Sequence, residues 1–443
     1  MTSLEDHLGL REESCEEFVM TTLLKMCPFP LPICERSVDW PDTFSPSVAS
    51  NGDAPRLLAA LQRGRETMIN ELSNPRPVLA SIRGALESYL PNVNLILESL
   101  NSQNTVAIKA AMTISWTGSF GGRRVVNSAI IYEVVMCLHS LAIIKYQEGC
   151  DLLSYKDHDC VRDAAKLFLS AGSIFSYLEA RILPRWTKSK KDASDNPELS
   201  SAICASVAHL CVCSAQQCVV FQSLRSGKST SGVIAKLCSA VVKSCEDSLI
   251  ALNGRDGESL PCVSSSITEH LSFIKATYGA LAFMFQGKAV GKGGQAIGNY
   301  REAITLLVQQ GSQGGKEKHD PFRPGLPNLK LNPSLSGSIT SLGNILAHLK
   351  SILDTADADN RVIYFEEVPV VTLPTPVHLA NLNSMPYSPK PIGEIVQLSA
   401  PPSAKQETHL IEDENPYPTS GSSVFRSDEE LARKLQQEYD QEI

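Results

Sequence analysis

Apolar residues recur along most of this chain at the three- and four-residue spacing of amphipathic helices, with no convincing strand alternation. The pattern predicts helices over 55–72, 78–100, 127–147, 159–182, 197–224, 233–252, 267–286, 295–310 and 336–353, which makes the fold class all-α. Gly149, Pro184 and Gly287 read as helix stops. The polar stretches 187–196, 223–232 and 253–266 read as surface loops, and the Gly/Pro-rich stretch 311–333 as a mobile excursion between the last two helices. Two stretches, 129–145 and 203–220, are apolar enough to pass for membrane spans. Glu133 and His139 interrupt the first, and His209, Gln216 and Gln217 the second; hydrocarbon penalises such groups, so both read as buried core helices. The ends of the chain differ. Residues 27–34 (CPFPLPIC) exclude a helix and leave room for a short extended segment, and beyond Leu353 the chain turns extended, with prolines recurring to Pro418.

Composition changes this picture in three ways. Of 443 residues 43% are hydrophobic, ample for a large core. The net charge is −8, and from Lys405 onward ten acidic residues face four basic ones, so the acidity belongs to the tail and no basic nucleic-acid footprint exists. The thirteen cysteines are odd in number, lie mostly in apolar helical stretches and form no C-x2-C pair. Cys211 and Cys213 are a lone C-x-C, so the expectation is free buried thiols in a reducing, cytoplasmic setting, with no metal site. The first thirteen residues contain no apolar signal region.

Catalytic signals are lacking. The stretch 287–293 (GKAVGKG) resembles a phosphate loop, but it has three residues between its glycines, no Ser/Thr after the lysine, and a helix before it. His139 and His209 read as core histidines, and Glu366 with Glu367 as solvated charge. No nucleophile signature appears, so the expectation is a non-enzymatic protein without cofactors.

The last sixteen residues carry the sharpest local pattern. Ser427 and Glu430 form a capping box, and Asp428, Leu431, Ala432, Leu435 and Glu438 then share one helical face. The stripe matches D-x-x-L-A-x-x-L-x-x-x-E and resembles the motif interacting with ubiquitin, an inverted ubiquitin-interacting helix. The resemblance implies that Ala432, flanked by the two leucines, packs on ubiquitin's apolar patch while the acids meet its basic rim. A solvated terminal helix is the alternative.

A second resemblance spans the helices. Trp116-Thr117-Gly118 is followed by 128–133 (SAIIYE), 163–178 (DAAKLFLSAGSIFSYL), 232–237 (GVIAKL), 287–303 (GKAVGKGGQAIGNYREA) and 363–369 (IYFEEVP). In this order the segments resemble the Bro-one (BRO) domain family of ALIX, rhophilin and BROX, with BROX nearest. The resemblance implies an elongated, boomerang-shaped helical domain with a tetratricopeptide-like centre. Its concave groove would bind the C-terminal helix of an ESCRT-III filament subunit and bring the protein to endosomal or nuclear-envelope membranes. The positions that align with that groove are Val220, Val233 and Leu237, although helices here are apolar on several faces and the three can equally form core. The domain reading is therefore 1–54 unassigned, 55–385 BRO-type domain, 386–426 disordered linker and 427–443 ubiquitin-binding helix. The partners are the ESCRT-III helix and ubiquitin or ubiquitinated cargo, with no nucleic acid. A scaffold for a small GTPase is the alternative function. One departure concerns the membrane: the chain ends Asp440-Gln441-Glu442-Ile443 with no cysteine after Cys262, so no prenyl anchor is expected and membrane contact is indirect.

Overall fold

The structure, a computed structural model of the chain, describes residues 8–10, 18–34, 38–44, 52–102, 113–120, 122–155, 157–185, 196–253, 265–309, 336–390 and 393–396. Within these lie the long helices α1 (Ala54–Leu72), α2 (Leu79–Asn101), α3 (Ile130–Leu153), α4 (His158–Tyr177), α5 (Ser201–Ser226), α6 (Ser231–Leu252), α7 (Ser265–Val290), α8 (Gly294–Gln309) and α9 (Ser336–Asp359). Each packs chiefly against the helix before it and the helix after it, as stacked helical repeats do. Side chains mark several boundaries. Ser200 accepts a hydrogen bond from Ile203 N and Thr230 from Val233 N, both at 3.4 Å, which starts α5 and α6. Gly227, at φ 60°, supplies the left-handed end of α5. The loop expected at 223–232 thus shrinks to 227–230. The helices α3 and α5, long and apolar enough to cross a membrane, are mostly buried by their neighbours.

Two of the expected stops are not stops. The α3 helix runs through Gly149 to Leu153, and α7 runs through Gly287 to Val290. Each glycine instead lets an aromatic ring close on the helix: an added Cβ would meet Phe168 Cε1 at 2.7 Å from Gly149, and Tyr300 Cε1 at 2.5 Å from Gly287. Gly287→Ala should therefore push α8 off α7 and cost about 1–3 kcal/mol by overpacking. Gly84→Ala in α2, where a new Cβ meets nothing within 4 Å, should instead stabilise by up to about 1 kcal/mol. Thermal melts of the two variants measure the contrast. Helix α9 likewise outlasts its expected end at 353, passing into a π-turn over Asn360–Tyr364.

Of the strands, only the short extended segment within 27–34 is foreseen in the sequence. β1 (Ile33–Cys34), β2 (Ile114–Thr117) and β3 (Arg124–Asn127) form an antiparallel sheet in that order, with Cys34 opposite Trp116 and Trp116 opposite Val125. Residues before 54 join the core: Leu8, Phe18, Leu23, Trp40 and Phe44 are buried. Leu23 O accepts from Tyr278 Oη at 2.6 Å and from Gln217 Nε2 at 3.2 Å, which ties this segment to α7 and α5.

A buried charge pair joins the sheet to the first helices. Arg65 Nε of α1 donates to Glu133 Oε1 of α3 at 2.7 Å, with both side chains out of solvent. Trp116 Nε1 donates to Glu133 Oε2 at 2.7 Å, and Tyr89 Oη of α2 to Oε1 at 3.1 Å. Arg65 Nη2 also reaches Cys34 Sγ at 3.3 Å. Three donors, from α1, α2 and β2, thus surround one carboxylate, with Cys34 of β1 accepting from Arg65 behind them, and this explains how a glutamate sits buried in the first turn of an apolar helix.

Candidate partner-binding surface

The three positions read as groove do not behave alike. Val220 and Leu237 are buried, whereas Val233 is 46% exposed. The reason is the phase of α6, which shows solvent Val233, Lys236, Lys243 and Ile250 and turns Ile234, Leu237 and Val241 inward. Val220 and Leu237 therefore act as core in this structure. Val233 is left as the one side chain of the three at the surface.

What Val233 has beside it is an extended strap, residues 366–390, which follows the π-turn. The recognition is largely by backbone. Gln216 of α5, itself buried, accepts from Leu379 N at 3.2 Å and Ala380 N at 3.1 Å, and donates to Val377 O at 3.3 Å. Val377 N in turn donates to Lys236 O at 3.2 Å, one turn beyond Val233. On the other side, a Cβ added to Gly232 would lie 3.6 Å from Ala289 Cβ, next to exposed Val290. These contacts bring α6, the end of α7 and the strap together, and each carries an exposed valine there, Val233, Val290 and Val377, which we take together as an aliphatic edge. Sequence reading missed Gln216 as a strap receptor and used it only as a polar mark against a membrane span. Its one available signal was a glutamine in an otherwise apolar run.

The strap also settles the glycine loop. Gly291 and Gly293 take φ of 91° and 88°, and Glu366 Oε2 accepts from Gly294 N at 2.9 Å at the start of α8. Asn360 holds that glutamate, donating from Nδ2 to Glu366 O at 2.9 Å and accepting from Glu366 N at 3.1 Å. Glu366, exposed as expected, is therefore also a helix cap, and the helix end that would attract a phosphate already holds an anion of the chain itself.

The chemistry of the described residues is that of packing. The eleven described cysteines are free thiols, and burial pushes Cys27 and Cys150 up to about 12, far from the range of a nucleophilic thiolate. His139 Nε2 lies 2.8 Å from Glu198 O inside the core, and burial lowers the pKa of half-buried His209. Among the described residues no His/Cys/Asp/Glu group could hold a metal ion. Asp428, Leu431, Ala432, Leu435 and Glu438, like the excursion at 311–333, lie outside the described residues.

A family model described as the BRO1-like domain matches residues 35–407. The chain belongs to the BRO1-like domain family. The match begins just after β1 and takes in β2, β3 and the strap, a wider span than the motif-based 55–385. Comparison with curated proteins finds no sequence match. Among solved structures, the ALIX BRO1 CHMP4C complex aligns at TM-score 0.60 and 17% identity, over 84% of this chain and 98% of that one. A structure described as the basis for endosomal targeting by the Bro1 domain aligns at 0.57 and 16%, over 85% and 92%. ALIX in complex with the SIVmac239 PYKEVTEDL late domain aligns at 0.59 and 16%, over 84% and 50%. At such identities the shared property is the BRO1 fold.

Proposed function

We propose that this BRO1-like protein is a non-enzymatic, cytoplasmic adaptor of the ESCRT machinery, recruited to endosomes or the nuclear envelope by an ESCRT-III filament subunit. The observation that carries the reading is family membership across residues 35–407, together with a fold shared with a BRO1 domain in complex with CHMP4C. The C-terminal helix of the filament subunit would seat its apolar residues on the aliphatic edge at Val233, in the manner of helix-in-groove recognition. Val220 and Leu237 would support that edge from beneath. The order of sequence motifs makes BROX the relative we infer to be nearest.

The terminal helix adds a second contact, to ubiquitin or ubiquitinated cargo, through Leu431, Ala432 and Leu435 with Asp428 and Glu438 at its ends. One small face should bind weakly, at about 0.1–1 mM or roughly −4 to −5.5 kcal/mol. The proline-rich connection raises the effective concentration of each contact for the other. Titrating the full chain into isotope-labelled ubiquitin should shift resonances around its apolar patch. Ala432→Gly, which removes packing and about 1 kcal/mol of helix propensity, should lose most of the shift. An unperturbed ubiquitin spectrum at millimolar protein would remove this contact and leave the ESCRT-III reading standing. Capture of ESCRT-III by the chain truncated at 427 separates the two contacts, and a small-GTPase scaffold would instead retain a GTP-loaded GTPase in that assay.

A further inference from the structure

We infer that Ser388 is a phosphorylation site for a proline-directed kinase and that its phosphate clamps the end of the strap. Ser388 is exposed and is followed by Pro389. The residue before a proline is biased to extended backbone, the form in which kinases take substrates, and proline presents no N–H to be left unpaired in the kinase site.

The surroundings of Ser388 supply what a phosphate would bind. Its side chain lines a cavity of about 180 Å³ shared with Lys145 of α3, Lys390 of the strap, and Glu87, Pro91 and Asn94 of α2. That volume is small for an organic ligand, which typically needs about 300 Å³ or more, but it has room for a phosphate. Lys390 is already aimed there for a backbone reason. Pro91 lies inside α2 and offers no N–H to the carbonyl four residues earlier, and Lys390 Nζ donates to that Glu87 O at 3.2 Å. Lys145 Nζ lies 3.8 Å from Glu87 Oε1. Two ammonium groups against one carboxylate leave the cavity net positive, so a phosphoserine dianion is attracted there.

Around Ser388 the chain is held by Tyr387, which packs edge-on against Tyr177 at 5.2 Å between centroids, by Lys390 at Glu87 O, and further on by buried Val396, whose N donates to Ser99 Oγ at 3.1 Å. Between these points Ser388 itself is exposed, and local opening of the segment gives a kinase access. In the reaction the β–γ P–O bond of ATP breaks and a P–O bond forms to Ser388 Oγ; ADP leaves, and the hydroxyl proton passes to the kinase's catalytic base. On reclosing, the phosphate oxygens lie between Lys145 and Lys390 and slow the next opening.

The test uses the full chain with ATP and a proline-directed kinase, read by phosphosite mapping and by hydrogen exchange over 382–390. Phosphate is expected on Ser388 of the wild type and not in Ser388→Ala, with faster incorporation in Tyr387→Ala. Exchange over 382–390 should slow several-fold on phosphorylation. Lys145→Gln should accept phosphate equally and lose most of that slowing. Absence of phosphate at Ser388 in both wild type and Tyr387→Ala overturns the site. Phosphorylated protein that exchanges as fast as the unmodified chain, or faster, overturns the clamp.

Discussion

Glu133→Ala will be among the most damaging single substitutions in this protein, lowering stability by about 3–5 kcal/mol, because it strands the Arg65 guanidinium in a site closed to water. Arg65, Tyr89 and Trp116 all direct donors at this carboxylate, so one change orphans three polar groups from three elements. Glu133→Gln keeps the shape and one acceptor but removes the charge, and should fall between wild type and alanine. The double variant Arg65→Met/Glu133→Leu should recover much of the loss, since a well-packed apolar pair avoids the desolvation of both charges. Urea unfolding followed by circular dichroism measures all three. Equal stability of Glu133→Ala and wild type would mean the pair is not buried in solution.

Leu237→Asp and Val233→Asp, four residues apart on α6, should have opposite consequences for the fold. At Leu237, in the core, an aspartate is an unpaired buried charge costing several kcal/mol, so the melting temperature should fall sharply and part of the helical array should unfold. At Val233, nearly half exposed, the same substitution should stay within about 0.5 kcal/mol of wild type. Thermal melts of the two proteins side by side decide whether the phase of α6 is as described.

Much of this architecture is legible in the sequence because a 3.6-residue period declares which face of a helix is buried. The nine helices expected from that period all appear, with ends displaced by a few residues where a capping side chain such as Thr230 outweighs hydrophobic spacing. Glycine was misleading at 149 and 287 because its two uses, ending a helix and admitting a ring, look alike until Phe168 and Tyr300 are in place. The strands were hidden because two- and four-residue segments are too short to show alternation. The three positions read as groove were legible as apolar residues, but their exposure was not. The resemblance picked out Val220, Val233 and Leu237, but which of them faces solvent follows from the phase of α6 against α5 and α7, beside a strap drawn from more than a hundred residues away. That strap is bound through the backbone of Val377, Leu379 and Ala380, which leaves little trace in side-chain pattern.

The central claim, that the aliphatic edge beside the strap receives an ESCRT-III helix, is tested most directly by fluorescence anisotropy. A labelled C-terminal helix peptide of an ESCRT-III subunit is titrated with the full chain and with its Val233→Asp variant. The account predicts saturable binding to the wild type and a loss of at least about tenfold, roughly 1.4 kcal/mol, in the variant, whose melting temperature stays unchanged. A folded Val233→Asp protein that binds the peptide as tightly as wild type would contradict the site, and a wild type that binds no ESCRT-III peptide would contradict the function.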